Sequence, residues 1–333
     1  MTIPYDLEIE RLLNEITQFK AKRILIQMPD GLKPYGVSLS KVIEEKTSAE
    51  VFLSSSACYG ACDIAIDQAR LLSVDLIVHY GHTQFAAIEN PRVLFLDARS
   101  QLDLTSALSK AECEFSGLKR IGLATTIQHL GELDKVKEYL SRLGIEVVIA
   151  PLGGHSIRSG LIIGCDYTPL KMIASEVESF LIIGSQFHAL GASLAVNKPV
   201  VLVDPYSNRV IDMKKTREMI ILRRYAAISK AKNADIFGII LGTKIGQYNP
   251  ATAFSLKERT TAHGKVATII VADEISPNSL ENFSEVEIFV STACPRLAID
   301  DTERFAKPIL LPKEVLVAIG ELEWETLLSQ GFL

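Results

Sequence analysis

Cysteine is the residue type here with the most chemical potential. The chain has five, and three sit in distinctive surroundings: Cys62 in CYGACD, Cys165 in IIGCDYT and Cys294 in STACPRLAIDD. No local metal-ligand spacing joins them, so a shared site can form only in the fold. Each lies at or just after the end of a strand-like run, where open α/β sheets keep their ligands. Taken singly, each reads as a small buried thiol. Together they read as one theme: a cysteine among small residues at the edge of each of three sheets. Three thiolates can hold three irons of a 4Fe–4S cluster and leave the fourth open to a substrate. Zinc is the second candidate, although three separated sheets are an unexpected frame for a structural zinc site.

The other two cysteines carry weaker signals. Cys58 and Cys62 form a CxxxC pair that resembles the start of the radical-SAM motif CxxxCxxC, but the positions around Ile66 supply no third thiol. Cys113, in KAECEFSG, is expected on a surface helix with no chemical role.

The elements that must position these residues are legible as apolar, β-branched runs in groups of four. The first group is 23–29, 50–54, 75–83 and 92–99. The second is 120–129, 146–150, 179–188 and 199–207. The third is 236–244, 266–274, 286–294 and 308–314. Continuous apolar character suits strands buried on both faces of a parallel sheet. Helical patterns alternate with them, including DLEIERLLNEITQFKA, GELDKVKEYLSRLG with its terminal Gly stop, and NPATAFSLKERTTAHG. A repeat of roughly 100–115 residues is far longer than a solenoid period. The expected fold is therefore α/β. It has three related domains in a pseudo-threefold arrangement, each with a small four-stranded, mostly parallel sheet flanked by helices. The expected boundaries give 1–105 with Cys62, 106–213 with Cys165, and 214–333 with Cys294 and a single C-terminal helix. YTPLKMIASEVES is read as a further helix, with Asp166 as its cap.

Polar residues cluster at the strand ends. If those ends face a common centre, Gln27, His82, Gln128, His188, Asp204 and Gln247 are the candidates for holding a small polar cofactor. Cys294 then stands where His82 and His188 stand in the other units. The loop PLGGHSIRSG, with an exposed His155, lacks a full nucleotide fingerprint and reads as a loop. Lys214, Lys215, Arg217, Arg223 and Arg224 on a long charged helix read as a solvated face, and Trp324 as core or interface.

Composition narrows the class. Of 333 residues, 48% are hydrophobic and the formal charge is −5, so a general nucleic-acid-binding surface is disfavoured. No apolar run reaches the roughly 18 residues of a membrane span, and the start shows no signal-peptide core. The expected location is the cytoplasm, where free cysteines stay reduced.

The motifs CYGACD, IIGCDYT and TACPRLAIDD, with QMPDGL, TTIQH, GSQFHALG, DPYS and PILLPKE, resemble the archaeal first-step enzymes of diphthamide synthesis over nearly the whole chain. These are noncanonical radical-SAM 3-amino-3-carboxypropyl transferases. The resemblance implies a homodimer with one 4Fe–4S cluster per subunit, held by Cys62, Cys165 and Cys294, and no required role for Cys58. It implies S-adenosylmethionine as co-substrate, cleaved reductively at the Cγ–S bond with release of methylthioadenosine. The acceptor is carbon 2 of a histidine imidazole in translation elongation factor 2, and an electron donor is needed. Two alternatives stand beside it: a quinolinate-synthase-like 4Fe–4S dehydratase, and a non-catalytic electron-transfer subunit of a diphthamide synthase.

Overall fold

The computed structural model describes residues 4–84 and 91–333. Strands β1 (Tyr5–Asp6) and β6 (Arg99–Ser100) form a short antiparallel ribbon. Between them lies the first sheet: β2 (Arg23–Gln27), β3 (Glu50–Leu53), β4 (Leu76–Tyr80) and β5 (Arg92–Leu96), ordered β3-β2-β4-β5 and wholly parallel. The second contains β7 (Arg120–Thr125), β8 (Glu146–Ile149), β9 (Ser179–Ile183) and β10 (Val200–Asp204). It carries a fifth, antiparallel strand, β11 (Arg209–Asp212), and its order is β11-β10-β9-β7-β8. The third comprises β12 (Ile236–Gly242), β13 (Val266–Ala272), β14 (Ile288–Ser291) and β15 (Ile309–Leu310), ordered β13-β12-β14-β15.

The same strand order therefore recurs three times. The central strands are deeply buried, as in β4, where all five residues are inaccessible. Helices such as Ile9–Phe19, Leu133–Arg142 and Pro250–Ala262 cover the faces. The first sheet has its own apolar core on one face, built on Ile24, Ile26, Leu76 and Val78. A single larger core runs through the second and third sheets from Phe180 to Phe237 and Val290.

Three readings of the sequence are corrected. The C-terminal segment forms two helices, Pro312–Ala318 and Trp324–Gln330, because the chain turns at Gly320 in the left-handed region with φ 84°. The helix after Asp166 covers only Thr168–Ile173, and its N-cap position falls to Tyr167; Asp166, one residue further out, accepts the Thr168 N–H at 2.9 Å. Arg224 does not belong to a solvated basic face. It lies buried at 1% exposure on the helix Lys214–Lys232, paired with Glu314. Trp324 packs edge-on against Tyr225 and Phe332. Among the described residues no helix is long and apolar enough to cross a membrane.

Candidate functional site

The strand ends of all three sheets open on one cavity of about 590 Å³. Cys62, Cys165 and Cys294 all line it. Each is placed by its own sheet. Cys62 rides a long loop after β3, pinned at one end by Lys33 Nζ to the Ser55 and Ser56 carbonyls at 3.0 and 2.8 Å. At the other end the third unit grips it: Gly246 N–H donates to the Cys62 carbonyl at 3.0 Å and Lys244 Nζ to Asp63 at 3.0 Å. Lys244 also pairs with Glu274, which accepts the Tyr59 hydroxyl. Cys165 follows Gly164, where a Cβ would sit 2.1 Å from the Phe187 ring, so only glycine allows that ring to close over the loop. Cys294 ends the turn after β14, held by the Ser291 hydroxyl donating to its carbonyl at 3.0 Å.

The three thiols that line the cavity act on one another electrostatically. Burial raises the Cys165 thiol to about 12, with Cys62 and Cys294 pushing it further in the same direction. Burial raises Cys294 to about 11, opposed by the Arg296 backbone N–H and assisted by Cys62. Burial raises Cys62 too, opposed by the Gln247 amide, whose Nε2 lies 3.5 Å from the sulfur. Three thiols that cannot ionise together in a buried pocket need a cation to hold them as thiolates. That donor set fits an iron–sulfur cluster ligated by three cysteines.

The units also reach across to one another around the cavity. Gln128 Nε2 donates to the Gly81 carbonyl at 2.7 Å, joining second to first. Gly81, at φ 79°, turns the chain so that His82 lines the cavity. Arg296 Nη2 donates to the Phe187 carbonyl at 2.7 Å, joining third to second, and its guanidinium stacks 3.8 Å from the Phe187 ring. Farther out, Arg158 of the Gly-rich loop pairs with buried Asp97 at 2.7 Å. Desolvation lowers His82 to about 4 and His188 to about 3, so both stand neutral near pH 7.

Of the six polar candidates, His82, Gln128, His188 and Gln247 line the cavity, and Gln27 and Asp204 do not. Gln27 is buried and spent on the Cys62 loop, donating to the Asp63 carbonyl at 2.6 Å and accepting the Ala65 N–H at 3.0 Å. Asp204 is spent on its own turn, accepting Tyr206 N–H and the Ser207 hydroxyl.

Comparison with known proteins decides the family. A family model described as "Putative diphthamide synthesis protein" matches residues 28–328. The chain belongs to the diphthamide-synthesis family. A relative from Pyrococcus horikoshii, named 2-(3-amino-3-carboxypropyl)histidine synthase, is 34% identical over 98% of this chain and 94% of its own. Subunit 1 of the human synthase is 31% identical over 96% of this chain and 73% of its own. The crystal structure of Dph2 from P. horikoshii with a 4Fe–4S cluster superposes with a TM-score of 0.88 at 34% identity, covering 96% of this chain and 92% of that one. Membership in the diphthamide-synthesis family sets aside the quinolinate-synthase-like reading.

One residue of this diphthamide-synthesis protein escaped the sequence reading. Arg296 lines the cavity at 4% exposure, and its Nη1 has no hydrogen-bond partner among the described residues. The signal was present: the arginine stands two places after Cys294 inside a quoted motif.

Proposed function

We propose that this protein is a 2-(3-amino-3-carboxypropyl)histidine synthase, using S-adenosylmethionine to modify a histidine of translation elongation factor 2. In the net reaction the sulfonium's Cγ–S bond breaks and a C–C bond forms to imidazole carbon 2. Methylthioadenosine leaves, and carbon 2 gives up its proton. The observation that carries this reading is the meeting of three thiols, one from each sheet, in a single cavity. Cys62, Cys165 and Cys294 hold the cluster and leave one iron for the substrate. A 4Fe–4S cluster so held supplies one-electron reduction of a sulfonium.

The chain's own residues orient the substrate. Arg296, a buried cation at the cavity wall, takes the carboxylate of S-adenosylmethionine. Gln128, Gln247 and His188 line the walls and fix the remaining polar groups. Aiming Cγ rather than the ribose carbon at the open iron is the work of this binding. The remaining proposals follow from the same reading: a cytoplasmic homodimer with an external electron donor, divided near residues 105 and 213.

The test is anaerobic. Cluster-loaded protein, dithionite, S-adenosylmethionine and the elongation factor should yield methylthioadenosine and a factor heavier by one aminocarboxypropyl group. Cys62→Ala, Cys165→Ala and Cys294→Ala should each lose iron and product together. Full iron and full turnover in any one of the three would reject the assignment. A wild type that holds its cluster yet never modifies the factor alone would instead mark a non-catalytic subunit.

A further inference from the structure

A second group of metal-ligating side chains stands beside the thiols. Cys58, His79 and His82 each offer one ligand atom, and those atoms all lie within 4.8 Å of one another. Cys58 and His79 are buried, while Cys58 and His82 reach the cavity wall. None of the three is needed to hold the cluster assigned above.

The hydrogen bonds around His79 determine what it presents. Both ends of the Gln27 amide are fixed by backbone groups, Nε2 by the Asp63 carbonyl and Oε1 by the Ala65 N–H. Oε1 therefore also accepts from His79 Nδ1, at 3.0 Å, and that nitrogen carries the proton. Nε2 is left with its lone pair. It points at His82 Nδ1, 2.9 Å away, and at Cys58 Sγ, 3.9 Å away. A histidine whose far nitrogen is anchored by an oxygen acceptor, and whose near nitrogen faces a thiol and a second imidazole, has the arrangement of a metal ligand with its supporting shell. Tetrahedral zinc, with bonds of about 2.0–2.3 Å, sets its ligand atoms roughly 3.3–3.6 Å apart. The observed 2.9 and 3.9 Å straddle that range, so small side-chain shifts reach it.

We propose that Cys58, His79 and His82 form a second metal site, separate from the cluster, for one divalent cation of the zinc class. One sulfur and two imidazoles suit zinc. The fourth position opens towards the cavity. On binding, the Cys58 thiol proton leaves to solvent as the sulfur–metal bond forms. His82 moves its proton from Nδ1 to Nε2, and no electron changes hands. The ion ties the end of β4 to the loop that carries Cys62, and Gln27 braces both.

The experiment uses the full chain with its cluster, kept anaerobic. Zinc chloride is added in slight excess and free metal removed by gel filtration; zinc, iron and sulfide are then measured, with zinc-edge absorption on the product. Wild type should retain one zinc per chain with one sulfur and two nitrogens around it and unchanged iron. Cys58→Ser and His79→Gln should each weaken zinc binding at least a hundredfold. Gln27→Leu should weaken it about tenfold to a hundredfold, as loss of a supporting partner does. His82→Asn, at the cavity wall, replaces His79→Gln should the latter fail to fold. Zinc that washes off wild type overturns the site, as does zinc held equally by the variants. Loss of iron in Cys58→Ser would overturn it differently, by placing Cys58 on the cluster.

Discussion

Two buried arginines of the third unit lead opposite lives. Arg224 has a partner for every nitrogen: Nε and Nη2 on the Glu314 carboxylate, Nη1 on the Ala298 carbonyl at 2.6 Å, and Nη2 again on the Ile309 carbonyl at 2.7 Å. Glu314 in turn accepts the Leu311 N–H. Arg296 is nearly as buried but stays incomplete. It reaches Phe187 and Asp300, both at 2.7 Å, while Nη1 has no partner among the described residues. Burial raises the Asp300 carboxyl despite the guanidinium beside it, so compensation there is partial. Only Arg296 borders the cavity. A buried charge with every nitrogen partnered is architecture, whereas one with a nitrogen left over at a cavity wall suits the carboxylate-binding role proposed above.

That contrast can be broken experimentally. Arg224→Met strands the Glu314 carboxylate and should cost on the order of 3–5 kcal/mol in denaturant unfolding. Adding Glu314→Leu should recover most of the loss, because the pair then leaves together. Arg296→Gln should destabilise less, keep its iron, and bind S-adenosylmethionine about ten- to a hundredfold more weakly by calorimetry. Equal stability loss at both arginines with unchanged cofactor affinity would erase the distinction. Gln247→Ala removes a donor to the Cys62 sulfur. It should weaken the cofactor by a few-fold, about 0.5–1.5 kcal/mol, and spare the cluster; wild-type affinity would reject its role.

A further expected effect concerns pH. Burial lowers His129 from 6.5 to about 4, and neither of its ring nitrogens has a hydrogen-bond partner among the described residues. Between those values the unfolded chain binds the proton and the folded chain does not. Stability is therefore highest above pH 6.5 and falls as pH drops towards about 4. His129→Gln should flatten that slope by one proton in melting curves, whereas an unchanged slope would mean that His129 titrates normally.

The sheets were legible because buried parallel strands write themselves as unbroken apolar runs, from RILIQ to IFGIILG. β11 was not. Its four residues are half-exposed and follow a turn with Asn208 at φ 52°, a local device without an apolar signature. That Cys62, Cys165 and Cys294 come to one cavity was legible through their motifs. The direction of a strand-end side chain was not, since neighbours on a strand face opposite ways. Gln27 is the last residue of β2 and braces a loop from beneath, while Gln247 stands in the turn beyond β12 and touches a sulfur. Arg296 was hidden by the opposite problem: charge in sequence says nothing of which donors folding will leave empty.

The order of synthesis gives the three-sided cavity a further meaning. Translation makes Cys62 first, Cys165 next and Cys294 last, and units of this kind fold as they emerge. Because the second and third sheets share one apolar core, only the first wall can be finished before the chain around Cys294 has emerged. Loading iron on the ribosome would catch an incomplete vessel, so maturation of the centre belongs after release.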